Sequence, residues 1–102
     1  MRLIVFAFTY PDYDEGPRGG WEDVLRDAES GKVLSFETIE AALQGTVETF
    51  AKSHGMDLKK YKTDVLPSRS YGNCGVQVVN AESLELMFEC AQNKILDQLQ
   101  PK

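Results

Sequence analysis

The run Leu3-Ile4-Val5-Phe6-Ala7-Phe8 constrains the fold more than any other part of the chain. Aliphatic, β-branched and aromatic residues of this kind suit a pleated strand. Strict alternation puts Leu3, Val5 and Ala7 on one side and Ile4, Phe6 and Phe8 on the other. A strand apolar on both sides belongs in the middle of a sheet. Either both of its faces are covered, or a partner covers one of them. The strand, Arg2 to Tyr10, ends at Pro11, which has no N–H to donate to a ladder. The apolar run is short and leads into Thr9-Tyr10-Pro11-Asp12, so it reads as a first strand and not as a signal peptide.

Downstream, "LRDAESGKVL" (residues 25–34) reads as a hairpin. Asp27 can cap a turn, Gly31 can take a positive φ, and apolar arms stand on either side. The competing helix would be under two turns long. Thr38 to His54 is the clearest helix. Thr38 caps it, Glu40 favours the positive end of the dipole, and Ile39, Leu43, Val47 and Phe50 recur at helical spacing. Gly55 terminates it. Gly45 weakens it, for which a close helix–sheet contact is one reason. Lys59 to Leu66 reads as a strand closed by Pro67, with Tyr61, Thr63 and Val65 on one face. Gly75 to Asn80 is a further strand. Ala81 to Leu99 reads as a second helix, with Leu84, Met87, Phe88, Ala91, Ile95 and Leu99 as its stripe. The expected architecture is one α+β domain over residues 1–102. It has a mainly antiparallel sheet of about five strands, in the order β-β-β-α-β-β-α, with two helices packed on one face. Residues 11–20 and 67–74 are the long connectors. No residue-level repeat is evident between the halves.

Charge bears on partners. The 102-residue chain carries −5 overall. Residues 1–51 hold ten acids against four bases, and residues 52–102 hold six against seven. A net negative chain is repelled by phosphate backbones, which disfavours direct nucleic-acid binding. The basic cluster Lys59, Lys60 and Lys62 is too small to reverse that alone, though it could form a second contact surface. No segment approaches the roughly 20 apolar residues of a membrane span. Cys74 and Cys90 lie outside any CxxC pattern and read as free thiols in a reducing cytoplasm. No cofactor and no metal site is expected. "DYDEGPRGGWED" has Pro17 and Arg18 where calcium ligands should stand, and "GPRGGW" lacks the ending of a phosphate loop.

Catalytic candidates are thin. His54, the only histidine, falls in the last turn of a helix, where an imidazolium complements the dipole. Cys74 with His54 as its base is the weaker alternative, because a strand and not a helix N-terminus follows the cysteine. The chain is read as a non-enzyme. The connector stands out instead. Tyr10, Tyr13 and Trp21 are amphipathic aromatics of the kind enriched at binding hot spots. Asp12, Asp14, Glu15, Glu22 and Asp23 surround them with negative charge that would steer a basic partner. Trp21 also admits an inward reading, as an edge of the core.

Three segments, Tyr10-Pro11, Gly19-Gly20-Trp21-Glu22-Asp23 and Phe36-Glu37-Thr38-Ile39-Glu40-Ala41-Ala42, together resemble a pattern in small uncharacterised bacteriophage proteins. The likeness covers the N-terminal half. It implies a viral protein acting in the host cytoplasm. The expectation is therefore a small acidic protein-binding module, a phage-encoded inhibitor or modulator of a host protein with a basic surface, acting in its sharper form by nucleic-acid mimicry. The alternative is an oligomerisation module, a homodimer paired through the first strand.

Overall fold

A computed structural model describes residues 2–9, 22–67 and 74–99. The chain is α+β, as its patterning implies. Four strands form one antiparallel sheet: β1 (Leu3–Thr9), β2 (Glu22–Val24), β3 (Cys74–Asn80) and β4 (Leu86–Ala91). Their spatial order is β2-β1-β3-β4. The first strand is therefore central. It pairs with β3 along its whole length, from Leu3 opposite Asn80 to Thr9 opposite Cys74. On its other edge, Phe6 to Phe8 pair with β2. The Leu25 N–H donates to the Val5 carbonyl at 2.7 Å, and Leu3 exchanges two backbone bonds with Phe36. Both edges of β1 are thus occupied, and the sheet leaves no place there for a second copy to add a strand.

Register decides which side chains share a face. Leu3, Val5 and Ala7 lie with Val76 and Val78, and all five are buried. The helices cover this face. α1 (Ile39–Ser53) brings Ala42, Leu43, Val47 and Ala51 into the same cluster. Its boundaries have the expected causes. Thr38 Oγ1 accepts from the Ala41 N–H at 3.0 Å. At the far end Gly55, at φ +64°, turns the chain out of the helix. Gly45 is explained by the segment before the helix and not by the sheet. A Cβ there would overlap Cε1 and Cζ of Phe36.

Two expected elements change their type. Lys59 to Leu66 is helical. α2 (Leu58–Lys60) runs into a π-helical turn over Tyr61–Val65. Alternation of Tyr61, Thr63 and Val65 suggested a strand, but Leu58, Tyr61, Val65 and Leu66 also recur at helical spacing. The Asp57 side chain accepts from the Lys59 N–H and starts the helix. Tyr61 and Leu66 are fully buried as a result.

The second correction is larger. Ala81 to Leu99 is not one helix. It is a turn, then β4, then a 3-10 turn (Gln92–Lys94) and the short α3 (Ile95–Leu99). A β-bulge misled the pattern. Val78 pairs with Phe88 and Val79 with Leu86, so Met87 is the extra residue between them. The bulge turns Met87 and Phe88, neighbours in sequence, onto the core together. Consecutive half-buried residues imitate a helical stripe. The sheet has four strands and not five, because the arm after Gly31 makes only isolated bridges, Arg26 to Val33 and Leu3 to Phe36.

The two hairpin turns share one design, against the expectation of no repeat. Asp27-Ala28-Glu29-Ser30-Gly31 matches Asn80-Ala81-Glu82-Ser83-Leu84. In the first, Asp27 Oδ1 accepts from the Glu29 and Ser30 N–H groups at 2.8 and 3.3 Å. In the second, Asn80 Oδ1 accepts from Glu82 and Ser83 at 2.9 and 3.2 Å. The Gly31 N–H donates to the Asp27 carbonyl and the Leu84 N–H to the Asn80 carbonyl. Ser30 and Ser83 each accept from the residue two positions on, both at 3.3 Å. The fifth residue is left-handed in both, Gly31 at φ +74° and Leu84 at φ +61°.

Candidate functional site

The acidic–aromatic connector is tied to one end of the sheet. Its flanks are Thr9, the last residue of β1, and Glu22, the first of β2. Phe8 pairs with Glu22 and, on the other side, with Gly75. Cys74, where the 68–73 segment enters, faces Thr9. Strand pairing therefore brings Thr9, Glu22 and Cys74, which flank the two connectors, to the same end. Of the eight residues expected to bind a partner, Tyr10, Asp12, Tyr13, Asp14, Glu15 and Trp21 lie outside the described residues. Glu22 opens β2, and Asp23 stands exposed on that edge strand opposite Ala7.

Beneath this end, Phe8 crosses Gly75. A Cβ on Gly75 would come within 2.5 Å of Phe8 Cζ, so the ring occupies the space a side chain would take. Ile4, Phe6 and Phe8 share the second face of the sheet with Val24, Val79 and Leu86. None of these six belongs to the helix-covered core cluster.

His54 caps α1. Its Nδ1 is 2.8 Å from the Phe50 carbonyl oxygen, which can only accept, so Nδ1 carries the proton. The ring also leans on Tyr61 with centroids 5.2 Å apart. Cys74 and Cys90 are not joined in a disulfide. Burial, and then the Glu89 charge, push the Cys90 thiol up to about 11. Cys74 begins β3, as the strand reading required. Lys59 and Lys60 are exposed and Lys62 half-buried, on helical turns and not on a strand.

Asp27, Leu34, Phe36, Gly45, Glu48 and Lys52 line part of a groove between the first hairpin and α1. It holds about 180 Å³, short of the roughly 300 Å³ at which small-molecule pockets begin. The Asp27 carboxyl there is held below its ordinary range by the Glu29 and Ser30 N–H groups, with a smaller contribution from Lys52. Among the described residues, no group of three or more His, Cys, Asp or Glu side chains is placed to hold a metal ion. No described helix is long and apolar enough to cross a membrane.

The sequence reasoning missed the surface at the opposite end of the sheet. Leu84 and Leu86 are 70% and 50% exposed there. The signal was present as the repeated Ala-Glu-Ser after an Asx residue. Searches with this chain gave no match to a protein-family model, to a curated protein or to a solved structure.

Proposed function

We propose that the chain is a small acidic protein-binding module that docks on a positively charged surface of a host protein and inhibits or redirects it. The feature that supports this reading is the acidic, aromatic composition of the segment that joins β1 to β2. In sequence it runs from Thr9 of β1 to Glu22 of β2, whose ends pair at one end of the sheet, and Asp23 on that edge strand is exposed and negative. In its sharper form, the carboxylates stand in for nucleic-acid phosphates in a basic channel. The resemblance to bacteriophage proteins supports a viral origin and a site of action in the host cytoplasm. On this reading the protein makes no bonds and needs no cofactor.

The test is capture from a bacterial lysate, with mass spectrometry, by the full chain and by a variant with Tyr13, Asp14 and Glu15 replaced by alanine. The variant folds normally and loses the partner, and wild-type capture weakens as salt rises. Equal recovery by the triple variant would reduce the segment to a connector.

A further inference from the structure

The hairpin between β3 and β4 carries a leucine where its twin carries glycine. Both turns make the same hydrogen bonds, so the first shows what the geometry asks of its fifth position. That position is left-handed, where a Cβ crowds the following carbonyl and glycine or asparagine is the usual occupant. Gly31 meets the requirement. Leu84 meets it at φ +61° with a branched side chain that is 70% exposed. The residue thus carries backbone strain and exposed apolar surface together, and neither serves the turn. Strain of this kind is retained where the surroundings or a function hold it.

The neighbourhood extends the apolar surface. Leu86 is half exposed and opens β4 on the second face of the sheet. It pairs with Val79, which in turn pairs with Ile4. The bulge at Met87 causes this, because it sends Met87 and Phe88 to the core while Leu86 stays on the outer face. Behind Leu86 the row continues through buried Val79 to half-buried Ile4, so Leu84 and Leu86 carry the exposed apolar surface.

Charge specifies what fits. From Asn80 to Asn93 the chain holds Glu82, Glu85 and Glu89 and no lysine or arginine. Glu82 and Glu85 are exposed beside the leucines. Arg2 is the base brought alongside, through its carbonyl bond to the Ala81 N–H. A second copy of this chain would set these carboxylates against their equivalents. An anionic membrane would be repelled in the same way. A segment offering apolar side chains between lysines or arginines satisfies both features.

We infer that the Leu84–Leu86 end of the sheet is a docking surface for a basic amphipathic protein segment, with the two leucines as anchors. This surface is at the opposite end of the sheet from Thr9 and Glu22, the residues that flank the connector, and the inference does not rest on the connector.

The probe is a short synthetic amphipathic peptide with leucine on one face and lysine on the other, titrated into the isotope-labelled full chain. Amide shifts change at Ala81 to Leu86 and at Ile4 and Val79. Leu84→Gly and Leu86→Ser each weaken binding about tenfold or more, the scale of a lost hot-spot anchor. Leu84→Gly and Leu84→Asn do not lower the melting temperature, because they relieve the turn, so lost binding is not lost folding. The Tyr13, Asp14 and Glu15 triple variant binds this peptide unchanged, which separates the two surfaces. Any of four results overturns the proposal. They are no binding at millimolar peptide, equal binding by Leu84→Gly, equal binding of a peptide with its leucines changed to serine, and wild-type self-association that Leu84→Gly abolishes.

Discussion

Single side chains set several properties that can be measured one at a time. Cys90 is one. Its thiol is pushed up to about 11 from an ordinary 9.0 by burial first and by the Glu89 charge second. Between those two values the unfolded thiol loses its proton while the folded one keeps it. The unfolded state then binds fewer protons, and stability falls as pH rises across the interval. Denaturant midpoints taken from pH 8 to pH 11 should show wild type losing ground to Cys90→Ala above pH 9. Equal slopes for the two proteins would mean that Cys90 titrates normally in the fold. Asp27 has the opposite sign. Its carboxylate is favoured by two backbone N–H groups, so its contribution is present above the ordinary carboxyl range and fades as pH drops through its lowered value.

Elements are joined by contacts that local propensity does not contain. Gly45 sits in the middle of α1, where alanine would ordinarily stabilise by about 0.5–1 kcal/mol. Here the added methyl meets the Phe36 ring, which packs against the core while two backbone bonds to Leu3 hold its main chain. Gly45→Ala should therefore lower the melting temperature in wild type and raise it in a Phe36→Ala background. A double-mutant cycle by thermal unfolding reads this reversal of sign. The same distinction separates what the sequence discloses from what it hides. The first strand, the 25–34 hairpin and α1 with both caps were legible, because each is specified by residues within one or two turns of itself. β4 was not. Met87 and Phe88 share a face only through a bulge against β3, and no local period records a bulge. α2 was hidden because its apolar spacing fits strand and helix alike, and the deciding group is the Asp57 cap. Of the candidate surfaces, the acidic connector is an expectation from composition whose residues lie mostly outside the described ones. Leu84 was not, because it reads as one more apolar residue until its turn is laid beside the first.

The whole molecule rests on one cluster. Leu43 of α1, Tyr61 and Leu66 beyond it, Ile95 of α3 and the inward valines of β1 and β3 belong to the same core. Leu43→Ala removes about 2–5 kcal/mol from a domain whose total stability is on the order of 5–15 kcal/mol. Because the core is undivided, hydrogen-exchange protection should fall by the same factor in α1, β1 and β3. A loss confined to α1 would show that the helix opens by itself. The central position of β1 has a consequence for biosynthesis. Leu3 is made well before its neighbour Asn80. Until then the most apolar strand of the nascent chain waits with one side bare, a template for any other extended chain nearby. A product truncated at Pro67 keeps that side bare permanently, so it should aggregate where the full-length chain stays dispersed.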